Sequence, residues 1–194
     1  METQSATPAP RLSPIRCSRH PLVLLALAAY RFGAGTTAPV RVIFARAPRL
    51  VIAHLVLVLT TEYALRTDRR LRTLVRVFGA RVNGCRFCDD LETRIAIATR
   101  AISREDADDL ASWATSPRFG AKDRAVLRYV EEINTTKTAS EETFAALTRQ
   151  LSEAEIVEIT WLNAVGNYLN LMAKPLGLLP ESSCEIPTRV AANP

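Results

Sequence analysis

DRRLRTLVRVFGARVNGCRFCDDLETRIA, residues 68–96, is the stretch that decides the fold. Leu71, Leu74, Val75, Phe78 and Val82 recur at i, i+3, i+4 spacing, which predicts an amphipathic helix over 69–82 with Asp68 as its N-cap. Asn83-Gly84 breaks that helix. A second one restarts near Cys88 and runs to about Ile102. Two helices thus meet at a junction that carries Cys85-Arg86-Phe87-Cys88.

Outward from this junction the apolar period stays helical and is punctuated by Pro and Gly. A first, buried helix is expected over 21–32, ending at Gly33. A Gly/Thr/Pro loop follows to Pro39, then VRVIFARAP leads to Pro48. Residues 49–65 are apolar on most faces, as a central or interface helix would be. Ser103 caps another helix, and later ones fall near 121–136, 140–150 and 153–173. The last begins with the capping box Ser152-Glu-Ala-Glu155 and ends at Pro175 and Gly177. Trp113 and Trp161, each within a predicted helix, are expected in the core. No alternating pattern longer than VRVIF suggests a strand, so the fold class is all-α.

With 194 residues the chain is long enough for one domain with a proper core. That domain is expected over 21–180, between a disordered Ser/Pro/Arg-rich arm (1–20) and a tail (181–194). Basic arm and apolar Leu22–Ala29 imitate a signal peptide. The run is too short to span a bilayer and its small-residue sites are badly placed, so a cytoplasmic protein with no membrane span is expected.

Net charge is +5, but residues 1–88 carry +11 and residues 89–194 carry −6. Nearly all the basic residues are Arg, spread singly along helices with few aromatics. Solvated helix faces and ion pairs explain that pattern better than nucleic-acid binding. Two histidines exclude a multi-histidine metal centre, and seven glycines form no phosphate-binding fingerprint. Four cysteines are too few for a disulfide-stapled scaffold. No cofactor is expected, and any chemistry falls to Cys, carboxylate, Arg or Tyr.

The Cys85–Cys88 spacing allows a disulfide, because one helical turn brings the two sulfurs into bonding range. Amides at a helix start favour the thiolate, the form that attacks peroxides and disulfides. Structural cysteines and half of a zinc site are the other readings; zinc would need two more ligands from Cys17, Cys184, His20 and His54, none at finger spacing.

Asp68 to Ala96 resembles the core motif of the carboxymuconolactone decarboxylase / alkylhydroperoxidase (AhpD-like) family. Ser152 to Leu178 is similar to that family's closing helix. The resemblance implies a compact helical domain that forms an obligate homo-oligomer, trimer-based or dimeric. It implies hydroperoxide reduction in which Cys88 attacks and Cys85 resolves, with an external dithiol as reductant. The family's pattern has a His four residues after the second Cys and a Glu twelve before the first; here those positions hold Glu92 and Thr73. Glu92 is the substitute proton acceptor, although an ordinary carboxylate is a poor base for an ordinary thiol. Asp89, Asp90 and Glu92 would raise the Cys88 pKa; Arg86, with Arg72 or Arg76, would offset them.

The alternative function is that of a decarboxylase-like enzyme on a small acidic lactone, with Arg72, Arg76 and Arg86 binding the substrate carboxylate. A non-catalytic oligomeric module is the third reading. His54, in an apolar helix, reads as a satisfied core histidine or a substitute proton relay. Asn163, Asn167, Tyr168 and Asn170 read as interhelix hydrogen-bonding groups or pocket lining. Cys184 reads as a free thiol or a third redox partner.

Overall fold

The computed structural model describes residues 11–180. It contains eight α-helices: α1 (Pro21–Gly33), α2 (Leu50–Ala64), α3 (Arg69–Val82), α4 (Arg86–Ala98), α5 (Arg104–Asp109), α6 (Ala121–Thr136), α7 (Glu141–Thr148) and α8 (Glu153–Ala173). There is no strand among the described residues. Cys184 and the tail over 181–194 lie outside them.

The caps are local and follow from the sequence. The Asp68 carboxylate accepts from the amides of Arg70 and Leu71 at the start of α3. Ser103 with Asp106, and Ser152 with Glu155, form reciprocal capping boxes at α5 and α8. Each such cap is worth about 1 kcal/mol. At Asn83-Gly84 the chain turns through a left-handed glycine (φ +64°), a conformation L side chains rarely adopt.

α3 is the axle of the molecule. Leu71, Leu74, Val75 and Phe78 pack with Val126, Leu127 and Val130 of α6 and Ile159 and Leu162 of α8 in one core. A second core joins Val23 and Ala26 of α1, Val40–Phe44, Val51 of α2, Ala80 of α3, and Cys85, Phe87 and Cys88. Gly79 lets α8 come close: a Cβ there would meet the Asn163 side chain at 3.2 Å.

Several sequence expectations change. VRVIF, for which the sequence predicts no element, forms a turn of π-helix (Val40–Phe44) that buries Val40, Val42, Ile43 and Phe44. α4 begins at Arg86 and stops at Ala98, short of Ile102. Arg100 takes φ +55°, with Ala101 N–H donating to Ala96 O and Arg100 N–H to Ile97 O, a Schellman closure without glycine. Residues 11–20 of the expected disordered arm lie against the body. Ile15 N–H donates to Arg41 O, while Arg41 and Arg46 donate to the carbonyls of Arg16 and Ser13. α1 buries Val23 and Ala26 but leaves Leu24, Leu25 and Phe32 exposed. Trp161 is 52% exposed, its indole N–H bonded to Thr61 Oγ1, whereas Trp113 is partly buried edge-on to Phe78.

Candidate functional site

Cys85 is the N-cap of α4 and Cys88 lies in its first turn. The two are disulfide-bonded, with Cα atoms 5.3 Å apart and exposures of 2% and 8%. Their setting is fixed from behind by amides. Asn83 Nδ2 donates to Asn134 Oδ1 (3.1 Å) and Asn167 Oδ1 (3.3 Å), while Asn134 Nδ2 donates to Asn163 Oδ1 (2.8 Å). Lys174 Nζ donates to Asn83 O (2.8 Å). Buried polar groups of this kind are tolerated because each has a partner. The interhelix reading of Asn163 and Asn167 therefore holds, and both also face the cavity described next.

Cys88 lines a cavity of about 410 Å³ between α2, α3, α4 and α8. Its wall is mostly apolar, with Phe44, Leu55, Val58, Phe87, Leu91 and Ile95 among the lining residues. Cys85 contributes nothing to that wall. Of the bonded pair, Cys88 belongs to the cavity wall and Cys85 does not.

Of the remaining residues singled out from sequence, Glu92 and Arg76 line the same cavity, and Arg72 and Arg86 do not. Arg86 is exposed on the first turn of α4, and Arg72 sits near Glu158. α2 brings in a residue the sequence did not point to: Glu62, which forms an ion pair with Arg76. The Glu92 carboxyl is pushed up from the ordinary carboxylate range by burial. The Arg76 charge pulls it down in part, and Glu62 raises it further. A carboxyl so raised is a better match for a thiol proton than an ordinary one.

The other acids near Cys88 have partners of their own. Arg81 Nε binds Asp89 Oδ1 at 3.1 Å, and Arg94 Nε binds Asp90 Oδ2 at 3.0 Å. Arg81 is thus the compensating cation at Asp89, a pairing across the α3–α4 junction that spacing alone does not reveal.

His54 is 4% exposed and lines the cavity with both ring nitrogens engaged. Nε2 shares a hydrogen bond with the Tyr30 hydroxyl, and Nδ1 lies 3.2 Å from the Tyr168 hydroxyl. Burial lowers the His54 pKa and so favours the neutral ring. The Phe44 ring lies 4.6 Å from that of His54, centroid to centroid. Among the described residues no group of three His, Cys, Asp or Glu is placed to hold a metal ion. None of the described helices is long and apolar enough to cross a membrane.

The geometry defines a class: an all-α protein with a C-x-x-C disulfide at a helix start, one cysteine of the pair lining a mostly apolar cavity. Residues 57–132, which include Cys85 and Cys88, match the model of the carboxymuconolactone decarboxylase family. An uncharacterised Escherichia coli protein, YnjA, is 28% identical over 125 residues, which are 63% of this chain and 67% of that protein. Among solved structures, the debrominase Bmp8 superposes with a TM-score of 0.77 at 19% identity, covering 89% of this chain and 92% of its own. A variant of it, 18% identical over the same shares with a TM-score of 0.77, was solved in complex with 2,3,4-tribromopyrrole. A protein of unknown function from Agrobacterium tumefaciens, for which an AhpD antioxidant role has been suggested, superposes with a TM-score of 0.64. It is 23% identical, over 69% of this chain and 91% of that one. The fold is that of the AhpD-like proteins.

Proposed function

We propose that the protein is a thiol-dependent oxidoreductase whose attacking group is Cys88 and whose resolving group is Cys85. One observation carries this reading: of the disulfide-bonded pair, Cys88 alone lines the cavity. In the reduced chain Glu92 takes the Cys88 proton. The thiolate attacks the terminal oxygen of a hydroperoxide, breaking the O–O bond to give a Cys88 sulfenic acid and an alkoxide, which is protonated. The Cys85 thiol then displaces water, forming the disulfide. An external dithiol returns both cysteines to thiols, which requires a reducing compartment such as the cytoplasm.

A second substrate class has its own support in the aromatic and aliphatic wall, together with the likeness to a debrominase. A small polybrominated heteroarene would pass Br⁺ to the Cys88 thiolate and leave as a carbanion that takes a proton. Cys85 would then expel bromide as the disulfide forms. Both reactions spend two thiols per turnover.

The lactone decarboxylase reading has less behind it. Of Arg72, Arg76 and Arg86 only Arg76 faces the cavity, already paired with Glu62 and close to Glu92, so a substrate carboxylate would meet two acids for one cation. A purely structural disulfide would not require one sulfur to face a cavity of this size.

Assembly belongs to the same proposal. Ile52, Val56, Leu59 and Tyr63 are exposed along α2 at i, i+4, i+7 and i+11, and Leu24, Leu25 and Phe32 of α1 are exposed as well. An exposed apolar stripe of this kind marks an interaction surface, and a second copy of the chain is the occupant the family resemblance implies.

The function is tested by titrating the reduced chain with cumene hydroperoxide and, separately, a polybrominated pyrrole while counting free thiols. Loss of two thiols per equivalent, abolished in Cys88→Ser, is expected. No loss with either compound, or unchanged loss in Cys88→Ser, overturns the reading.

A further inference from the structure

The cavity has a second polar cluster that the scheme above does not use. Tyr30 of α1 and His54 of α2 line the cavity; Tyr168 of α8 lines an adjoining, more open groove with Tyr129, Lys137, Glu141 and Phe144. The three are joined in line, Tyr168 hydroxyl to His54 Nδ1 and His54 Nε2 to Tyr30 hydroxyl. His54 and Glu62 are eight residues apart on α2, about 12 Å along the helix axis, so this cluster is well separated from the Glu62–Arg76 pair. It lies instead by Phe44, in the apolar cluster that also contains Val51 and Cys88.

We infer that Tyr30 is the proton donor to the leaving group formed when Cys88 attacks, and that His54 and Tyr168 refill it from the open groove. This rests on the thiol reductase reading of the same cavity. A neutral imidazole donates from one nitrogen and accepts at the other, so one tyrosine hydroxyl gives its proton to the ring and the other receives the ring's. With Tyr168 as donor and Nε2–H directed at the Tyr30 oxygen, the Tyr30 proton is free for the cavity. When the alkoxide or carbanion takes it, Nε2–H moves to Tyr30, the Tyr168 proton moves to Nδ1, and Tyr168 regains one from the groove. No member is left charged, which suits a site where burial favours the neutral ring and, together with the nearby Tyr168, raises the Tyr30 pKa. As the cycle closes, the water released on disulfide formation carries the proton from Glu92 to Tyr30, and its exit through the relay restores the starting tautomer.

The test compares two small electrophiles on the reduced full-length chain. Cumene hydroperoxide expels an alkoxide that needs a proton; methyl methanethiosulfonate expels a sulfinate that does not. Tyr30→Phe, Tyr168→Phe and His54→Gln are used, the last keeping a donor and an acceptor but no tautomer exchange, each checked for cooperative thermal unfolding. Each variant is expected to slow thiol loss to the hydroperoxide about 100-fold while keeping the wild-type rate with the thiosulfonate. Wild-type rates with the hydroperoxide, or equal slowing with both reagents, overturn the relay and leave the reductase reading in place. A wild-type chain that reacts with the thiosulfonate but with neither hydroperoxide nor polybrominated pyrrole overturns the reductase reading, and the relay with it.

Discussion

Glu92 stands one turn beyond Cys88 on α4, and both line the same cavity. Burial raises the Glu92 pKa above the ordinary carboxylate range, with Glu62 adding to the rise and Arg76 opposing it. The position that holds histidine in the family's pattern is thus filled by a residue whose basicity comes from its surroundings.

The first prediction concerns that basicity. Only ionised Glu92 accepts the Cys88 proton, so the hydroperoxide reactivity of the reduced chain rises with pH through the raised Glu92 pKa. Glu92→Gln is expected to abolish this acid limb and lower the rate about 100-fold. Glu92→His is expected to restore a limb displaced to the imidazole range. Stopped-flow thiol loss across pH measures both, and a Glu92→Gln profile that matches wild type refutes the role.

The same carboxyl should cost stability. Its folded pKa lies above its unfolded one, so its contribution is fully present below the unfolded carboxylate pKa and is lost as pH rises through the folded value. Glu92→Gln should therefore raise the Tm of the oxidised chain at neutral pH. A gain near 1 kcal/mol corresponds to about 2–4 °C in a chain of this size. The difference should vanish in acid, as calorimetry at both pH values would show.

Asp106 should behave with the opposite sign. Burial pushes its pKa up, but hydrogen bonds from Arg70 and the Ser103 amide, with the charges of Arg70 and Arg118, bring it below the ordinary value. Its contribution is present above the unfolded carboxylate pKa and is lost as pH falls through the folded one. Asp106→Asn is expected to cost about 1.5–3 kcal/mol at pH 7, because Arg70 loses a charged partner at 2.7 Å. Denaturant unfolding should show that penalty shrinking toward pH 3.

The roles of the two cysteines separate in single variants. In Cys85→Ser, one equivalent of hydroperoxide should leave a trapped Cys88 sulfenic acid, seen by mass spectrometry as a dimedone adduct. Cys88→Ser should give none. An adduct at Cys85 would reverse the assignment.

For assembly, Val56→Glu with Leu59→Glu places two charges in the exposed α2 stripe. Sedimentation is expected to show an oligomer for the wild-type chain and a smaller species for the variant. A monomeric wild type would remove the basis for the proposed interface.

The helices were legible because their signals are local. The α3 stripe, the Asp68 cap, the Asn83-Gly84 break and the Ser152–Glu155 capping box each lie within a few residues, and the structure realises all four. The end of α4 was missed because its left-handed residue is Arg100, not glycine. Trp161 reads as core by type, yet it is half-exposed, its indole N–H donating to the buried Thr61 of α2.

At the site the division is the same. The sequence by itself determined that a C-x-x-C pair sits at a helix start, with a carboxylate one turn later where a histidine is usual. These are statements about neighbours on one helix, set by 3.6 residues per turn. Only the tertiary structure decided that Cys88 and not Cys85 faces a cavity, that Arg76 meets Glu62 while Arg72 and Arg86 stand outside, and that Arg81 neutralises Asp89. It alone joined Tyr30, His54 and Tyr168, drawn from three helices. Those contacts, and the pKa shifts that follow from burial, depend on how α1, α2, α3 and α8 pack around α4, which local spacing does not encode.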